Sequence, residues 1–225
     1  NGTPPNRFPI DPLTTIDFHK PDTEGPNDVG FDESFILPAS LDIPPYLYLE
    51  DGTPTAVPSE FNMLGVDTPH LMREGPAAPG MRAEDVLPTF KDRVVQFIDQ
   101  HAQQPSEQPF FVYFPMTAPH TPIVPAEAYR GRTPIGLYGD FLVQIDAVVG
   151  EVLDALDRNG LRDNTLVICT SDNGASPAAK LDALAAQGHE ANWPWRGKKS
   201  DLYEGGHRVP FIARWPRATP AGSTC

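Results

Sequence analysis

A short apolar run that changes abruptly into polar residues is the feature that most constrains the fold of this chain. The run spans residues 165–169, and residues 171–174 read Ser-Asp-Asn-Gly. This pattern is typical of a buried strand that ends in a tight turn. Ligands of open α/β sheets bind at the carboxyl ends of strands, so the Asp172 carboxylate and the Asn173 amide are candidate ligands of a divalent cation. An Asx turn that merely ends the strand is the alternative.

The charge and hydrophobicity of the chain exclude several classes of partner. It has 225 residues, of which 40% are hydrophobic, enough to bury a sizeable core. With 17 basic and 30 acidic residues the net charge is −13, and no cluster of Lys or Arg stands out. This balance argues against a nucleic-acid or anionic membrane partner. No apolar run approaches the roughly 20 residues needed to cross a bilayer, so no membrane span is predicted.

The order of the predicted elements indicates the fold class. Residues 1–80 are loop-rich, with short apolar pieces at 35–37 and 46–49. Residues 81–225 read as a helix at 88–103, a buried strand at 109–114, a helix from Leu137 that stops at Asn159-Gly160, and the strand at 165–169. This alternation predicts an α/β fold with a mainly parallel or mixed sheet sandwiched by helices. The acidic residues of the second helix, Asp140 among them, are expected to face water.

Two further loops carry groups suited to an anion. His120 lies between Pro119 and Pro122, whose rings stiffen the backbone around the imidazole. Its alternative is an exposed loop histidine. Residues 193–208 concentrate aromatic, cationic and glycine residues, including Lys198 and Lys199, and their alternative is a basic surface loop with a structural glycine bend.

Together these groups indicate a type of chemistry. A hard cation beside a lysine suits the nonbridging oxygens of a tetrahedral oxyanion ester, because both neutralise negative charge. A histidine can bind the ester or assist proton transfer to the leaving oxygen. The combination predicts sulfuryl or phosphoryl ester hydrolysis.

Four segments carry motifs in a specific order and spacing. Residues 30–46 contain Gly-Phe-Asp, Pro-Ala-Ser-Leu-Asp and Pro-Pro-Tyr, and residues 111–122 contain Phe-Val-Tyr-Phe-Pro and Pro-His-Thr-Pro. Residues 170–174 read Thr-Ser-Asp-Asn-Gly, and residues 196–210 run from Arg-Gly-Lys-Lys to Tyr-Glu-Gly-Gly-His-Arg-Val-Pro. Over nearly its whole length the chain resembles the central part of a type I sulfatase, an arylsulfatase-like member of the alkaline phosphatase superfamily. The resemblance implies that fold and the hydrolysis of sulfate esters with release of inorganic sulfate.

The resemblance also implies roles for residues at matching positions. Asp172 and Asn173 would be the later pair of calcium ligands. His120 would contact the ester, and Lys199 would bind the sulfate group. The Glu-Gly-Gly segment at 204–206 would shape the loop, with a structural role for Arg208. The substrate would be a sulfated small molecule or a sulfated glycan, and the relatives suggest a periplasmic or secreted location.

Some segments expected of such a sulfatase do not occur in the sequence. These are an Asp-Asp pair for calcium, a Cys- or Ser-x-Pro-x-Arg segment whose first residue becomes the formylglycine nucleophile, and a Gly-Lys-Trp-His segment. Cys169 lies in a predicted strand, and no residue follows Cys225. We therefore expect a piece of one catalytic domain, with the nucleophile segment upstream and the small C-terminal subdomain lacking, and we expect these residues alone to be inactive.

Two other functions remain open at the level of the sequence. A phosphodiesterase or phosphonate hydrolase of the same superfamily would share the scaffold and differ in nucleophile and metal. A more distant alternative is that the chain belongs to a noncatalytic calcium- or sulfated-glycan-binding module. The upstream segment would distinguish these functions.

Overall fold

The computed structural model describes residues 16–63, 72–104 and 108–224, so Cys225 lies outside the described residues. The chain divides into two compact units, Asn1–Val86 and Leu87–Cys225. From the sequence we predict a boundary near residue 80, between a loop-rich part and a part rich in helices. That division of the parent protein's catalytic domain stays a prediction.

The first unit consists mainly of loops around small antiparallel sheets. Strands β1 (Phe35–Ile36), β2 (Leu49–Glu50) and β3 (Thr53–Pro54) form one sheet, and β4 (Glu60–Phe61) pairs with β5 (Pro76–Ala77). Asp51 and Gly52 join β2 to β3 with positive φ values of 47° and 75°, the conformation of a two-residue hairpin turn. Tyr46 and Leu47 are each 1% exposed and lie in the core of this unit. The predicted apolar pieces therefore supply both strand and core residues.

The second unit contains the long helices. Helix α1 spans Val86–Gln103, starting at the last residue of the first unit, and α2 spans Leu137–Arg158. Short helices α3 (Leu181–Ala186) and α4 (Glu204–His207) and strands β6 (Val167–Thr170) and β7 (Phe211–Arg214) follow. Both long helices were predicted from their apolar periodicity and are confirmed to within about two residues. Helix α2 stops at Asn159, followed by Gly160 with φ 71°, as its sequence indicates. No helix in the described ranges is long and apolar enough to span a bilayer.

The two long helices pack against each other through apolar and ionic contacts. Ile98 of α1 shares a buried cluster with Ala155 and Leu156 of α2, and Val94, Phe97, Phe110 and Val167 pack around it. At the helix surfaces Lys91 Nζ lies 2.7 Å from a carboxylate oxygen of Glu151, and an Arg158 nitrogen lies 2.7 Å from one of Asp99. The helix pair therefore forms the layer on which β6 and the segment after α1 rest.

The strand predicted at residues 109–114 is not formed in the described part of the chain. The segment lies outside the strand ladders that the described residues form, yet its side chains alternate between covered and exposed as they do in a strand. Phe110 and Phe114 pack onto the helix pair, whereas Phe111 and Tyr113 are 76% and 68% exposed. The alternation is the signal that the sequence carries, but a strand also needs a hydrogen-bonding neighbour. The prediction of a paired strand is therefore wrong for these residues.

Strand β6 forms two residues later than predicted and is covered on one face. It pairs antiparallel with β7, with Val167 opposite Arg214 and Thr170 opposite Phe211. Val167 packs toward the helices, whereas Ile168 is 50% exposed, so the strand is not buried in the described residues as expected. The strand pairs of the described residues are antiparallel, with an isolated parallel bridge between Tyr46 and Ala77. The described residues therefore combine helices with antiparallel sheets, and a mainly parallel sheet is not formed among them.

Asp140 does not face water as expected. Its side chain is in the first turn of α2, is 1% exposed, and accepts hydrogen bonds from the backbone N–H groups of Gly131 (2.7 Å) and Thr133 (2.8 Å) and from the Thr133 hydroxyl (3.1 Å). Burial alone would raise the pKa of this carboxyl, but the hydrogen bonds outweigh burial and hold the pKa below its ordinary value. Nearby, the buried Gln144 accepts a hydrogen bond from the Ala126 N–H at 2.8 Å. These two side chains fix the loop that leads into α2.

Candidate active site

The turn after β6 presents the two predicted metal ligands. The Ser171 hydroxyl donates to the Asn173 carbonyl at 3.0 Å and closes the turn. The Asn173 amide nitrogen donates to the Gly174 carbonyl at 3.0 Å, which leaves its Oδ1 as the ligand atom. Asp172 is exposed at the tip of the turn. The turn that the alternative interpretation required is therefore present, and it directs a carboxylate outward.

Backbone hydrogen bonds connect this turn to the loop that carries Lys199. The Gly174 N–H donates to the Gly206 carbonyl at 3.0 Å, and the Lys199 N–H donates to the Ala175 carbonyl at 3.0 Å. The side chain of Asn192 joins both partners, because its Oδ1 accepts from the Ala175 N–H at 2.9 Å and its amide donates to the Gly197 carbonyl at 3.0 Å. Two loops that are distant in sequence are thus held together as one structure.

The close approach of these loops requires glycine at several positions. A Cβ atom at Gly174 would overlap the carbonyl oxygen of Gly205, and a Cβ atom at Gly206 would overlap that of Asp201. Backbone atoms cannot rotate away as a flexible side chain can, so each position excludes a side chain. Gly205 and Gly206 are both buried in the short helix α4, in agreement with the loop-shaping role that the resemblance implies.

Lys198 and Lys199 occupy different environments. Lys199 is partly buried, whereas Lys198 is exposed. The Lys198 N–H donates to the Asp201 carboxylate at 3.1 Å, and the Asp201 N–H donates back to the Lys198 carbonyl at 2.9 Å. Of the two ammonium groups, that of Lys199 is attached to the backbone that bonds directly to the segment after Asp172 and Asn173.

Arginine side chains cover aromatic rings in the same loop. The guanidinium carbon of Arg196 lies 3.9 Å from the centre of the Tyr203 ring. Arg208 makes the same contact with Trp195 at 3.9 Å and bonds to Glu204 at 2.9 Å. Cation–π contacts of this kind stabilise a fixed geometry. The contacts of Arg208 are those of a residue that shapes the loop.

His120 is exposed at the tip of a separate loop. Its backbone N–H donates to the Thr117 carbonyl at 3.1 Å, and its ring Nδ1 lies 2.9 Å from the Thr121 carbonyl oxygen. A carbonyl only accepts, so this contact selects the tautomer with the proton on Nδ1. The Nε2 atom is then an acceptor in the neutral ring. The described contacts that orient His120 are local, and its approach to Asp172 and Lys199 stays a prediction.

The chemistry of the turn fits a calcium ion in part. A carboxylate and an amide oxygen are the hard ligands that calcium prefers, and it takes six to eight of them. No group of three or more His, Cys, Asp or Glu side chains is placed to hold a metal within residues 16–63, 72–104 and 108–224. The turn therefore offers two oxygen ligands of a larger shell.

Sequence reasoning missed the residue that joins the loops. No chemistry was assigned to residues 175–192, yet Asn192 bonds to both sides of the candidate site. An asparagine directly before a Trp-Pro-Trp segment carries no periodic signal, and its partners are 17 and five residues away. It becomes visible only when the fold places Ala175 and Gly197 beside it.

Comparisons with known proteins identify the family of the chain. A model of the sulfatase family matches residues 39–224. The N-acetylgalactosamine-6-O-sulfatase of Bacteroides thetaiotaomicron is 30% identical over 243 residues, which cover 92% of this chain and 47% of that protein. Human arylsulfatase H is 36% identical over 142 residues, covering 63% of this chain and 24% of that protein. The chain thus spans about half or less of the length of these relatives.

Solved structures give the same result for the fold. A sulfatase structure from a study of glycosaminoglycan metabolism in Bacteroides thetaiotaomicron superimposes with a TM-score of 0.75 and 28% identity, covering 89% of this chain and 48% of that one. Ps i-CgsB, solved in complex with k-i-k-neocarrahexaose, gives a TM-score of 0.54 and 27% identity over 68% of this chain and 32% of its own. The predicted α/β, alkaline phosphatase-like fold is confirmed. With a family model matched over most of its length, the chain belongs to the sulfatase family.

Proposed function

We propose that the full-length protein containing this chain hydrolyses sulfate esters and that this chain supplies one side of the active site. The observation that carries the proposal is the backbone contact between Lys199 and Ala175, together with that between Gly174 and Gly206. These contacts place the Asp172 turn and the Lys199 loop side by side. The proposal requires that the Asp172 carboxylate and the Lys199 ammonium group face the same region.

The two loops have complementary roles in this proposal. Asp172 and Asn173 provide two oxygen ligands for calcium, and the Lys199 ammonium group neutralises a nonbridging oxygen of the sulfate. A partly buried ammonium acts on an anion more strongly than an exposed one, because less water screens it. When bound, calcium adds positive charge at the sulfate, and the formylglycine expected in an upstream segment adds the nucleophilic hydroxyl.

His120 is proposed to act on the ester oxygen. With its Nδ1 proton donated to the Thr121 carbonyl, the ring would act on the substrate through Nε2. A protonated Nε2 would donate to the ester oxygen and pass it a proton as the bond to sulfur breaks. The backbone contact with Thr117 holds the loop, and the Nδ1 contact with the Thr121 carbonyl orients the ring.

A sulfated glycan is the substrate class that we propose. Support comes from the names of relatives, since one is an N-acetylgalactosamine-6-O-sulfatase and another was solved with neocarrahexaose. The net charge of −13 also means that an anionic substrate must be held by local cations such as Lys199.

The test is an assay of sulfate release by the full-length protein from 4-methylumbelliferyl sulfate and from N-acetylgalactosamine 6-sulfate. Lys199→Ala should lower kcat/KM on the order of a hundredfold, the effect of removing a group that stabilises developing negative charge. Lys198→Ala is the matched control, because each substitution removes one ammonium group and keeps the backbone hydrogen bond of its residue.

Two results would contradict this proposal. One is equal activity of the two lysine variants. The other is a full-length protein that cleaves bis(4-nitrophenyl) phosphate but releases no sulfate from either ester, which would indicate a phosphodiesterase.

A further inference from the structure

An open cleft lies beside the candidate site, between α3 and the segment that precedes Lys199. Its volume is about 360 Å³, within the roughly 300–1,000 Å³ range of small-molecule sites. Trp193, Trp195, Asp182, Glu190 and Arg196 are among its lining residues. The proposed sulfate-binding groups Asp172 and Lys199 are not, so the cleft is a separate surface.

Two indole rings are left open to solvent at this cleft. Trp193 is 74% exposed and Trp195 is 38% exposed. The Arg208 guanidinium covers one face of the Trp195 ring at 3.9 Å, which fixes the ring. Burying an aromatic side chain removes roughly 150–250 Å² from water, so leaving two indoles exposed forgoes a large hydrophobic gain. Flat apolar rings at a cleft are suited to a ligand that also has a flat apolar face.

The polar groups of the cleft select an uncharged ligand with many hydroxyl groups. The carboxylates of Asp182 and Glu190 are exposed and accept hydrogen bonds. They would repel a sulfate or carboxylate group. The Arg196 guanidinium is placed over the Tyr203 ring. A pyranose ring without a sulfate has both properties, an apolar C–H face for indole and hydroxyl donors for carboxylates.

Asn192 connects the cleft to the candidate site. It lines the cleft, accepts a hydrogen bond from the Ala175 N–H and donates to the Gly197 carbonyl. Ala175 is two residues after Asn173, and Gly197 is two residues before Lys199. A ligand in the cleft would therefore lie beside the two loops that are proposed to hold the sulfate.

We infer that this cleft is a subsite for an unsulfated sugar ring, the neighbour of the sulfated ring in a glycan substrate. The inference rests on the proposed function, which supplies the sulfated ring. It adds a specificity that the sulfate-binding groups cannot give, because they contact only the ester. Trp193, Asp182 and Glu190 then contact the sugar beside the sulfated one and determine which sugar is accepted.

The first test compares a long and a short substrate of the full-length protein. The long one is a neutral trisaccharide with a single terminal N-acetylgalactosamine 6-sulfate, and the short one is 4-methylumbelliferyl sulfate. Trp193→Ala should lower kcat/KM for the trisaccharide about tenfold, mainly through KM, as expected for the loss of one stacking contact. The same variant should leave kcat/KM for the aryl sulfate unchanged, and Trp193→Phe should restore part of the loss. An equal loss on both substrates, or no loss on the trisaccharide, would overturn the inference.

A second test measures binding without cleavage. In the ¹⁵N-labelled protein the indole N–H signals of Trp193 and Trp195 should shift on titration with the desulfated trisaccharide. Trp215 is an internal control, because its indole nitrogen is buried and should keep its signal in place. A second sulfate on the neighbouring ring should weaken binding several-fold. If the two signals shift but no ester releases sulfate, the proposed function fails and the subsite stands; if neither signal shifts, the subsite fails.

Discussion

The guanidinium of Arg208 lies 3.9 Å from the centre of the Trp195 ring, so the two ends of the loop that holds Lys199 are stacked on each other. Arg196 over Tyr203 forms a second stack inside the same loop. The loop is rich in glycine and its side chains are largely exposed, which leaves few apolar contacts to fix it. These stacks supply a large part of the side-chain packing that keeps Lys199 beside the Asp172 turn.

Substitution of Arg208 by lysine should loosen this loop. Lysine retains a positive charge for Glu204 but loses the planar group that covers Trp195. We expect the free energy of unfolding to fall by about 1 kcal/mol, the size of one cation–π contact. Urea unfolding followed by tryptophan fluorescence would measure this change. Arg217→Lys is the control, since Arg217 is exposed and reaches Asn164 at 3.4 Å; equal effects of the two variants would contradict a role for the stack.

Gly174→Ala should disrupt the candidate site. The added methyl group would overlap the Gly205 carbonyl and separate the turn from α4. We expect a loss of about 3 kcal/mol or more in the free energy of unfolding, because backbone must move to relieve the overlap. Sulfate release should fall in parallel, since the Gly174–Gly206 hydrogen bond would be lost. Both changes can be measured on the full-length protein by urea unfolding and by the aryl sulfate assay.

Gly150→Ala provides the matched control. Gly150 lies inside α2, and a Cβ atom there would meet no atom within 4 Å. In a helix interior alanine is more stable than glycine by roughly 0.5–1 kcal/mol, so this variant should gain stability. If the free energy of unfolding is unchanged in both variants, or falls by the same amount in both, the overlap at Gly174 is relieved without a cost in stability.

Apolar periodicity accounts for the part of the fold that sequence reasoning obtained correctly. Helices α1 and α2 are long, and each repeats its apolar residues often enough to set both bounds. The segment at 110–114 has an equally clear alternation, but alternation reports which side is covered and says nothing of a hydrogen-bonding partner. Strand pairing depends on residues far away in the chain, so it was the less predictable property.

The candidate site shows the same division between local and distant information. The Ser171–Gly174 turn and the loop at 196–210 are recognisable as motifs, so the sequence alone indicates Asp172, Asn173 and Lys199 as candidate site residues. Asn192 was missed because its two partners come together only in the folded chain. Asp140 was assigned to water because its helix position was considered without the loop that it binds.

Asn192→Ala should impair activity more than stability. It removes the acceptor for the Ala175 N–H and the donor for the Gly197 carbonyl, which loosens the contact between the two loops. We expect a cost of about 2 kcal/mol in unfolding, typical of two lost hydrogen bonds. The kcat for the aryl sulfate should fall, because Lys199 would be held less firmly. Asn192→Asp keeps the acceptor and should retain more activity than the alanine variant; a larger loss in the aspartate variant would contradict this role.

The buried Asp140 carboxylate should make stability depend on acidity. Its pKa is below its ordinary value in the folded protein, so its contribution is complete above the unfolded pKa of about 3.9 and disappears as pH falls through the folded pKa. Asp140→Asn should be less stable near pH 6, by about 3 kcal/mol, because an amide cannot accept all the hydrogen bonds from Gly131 and Thr133. The gap between wild type and variant should narrow between about pH 5 and pH 3, because only the wild type loses this contribution. Urea unfolding at several pH values measures the gap. Asp146→Asn, at an exposed position of the same helix, is the control; a gap that is constant with pH would contradict the assignment.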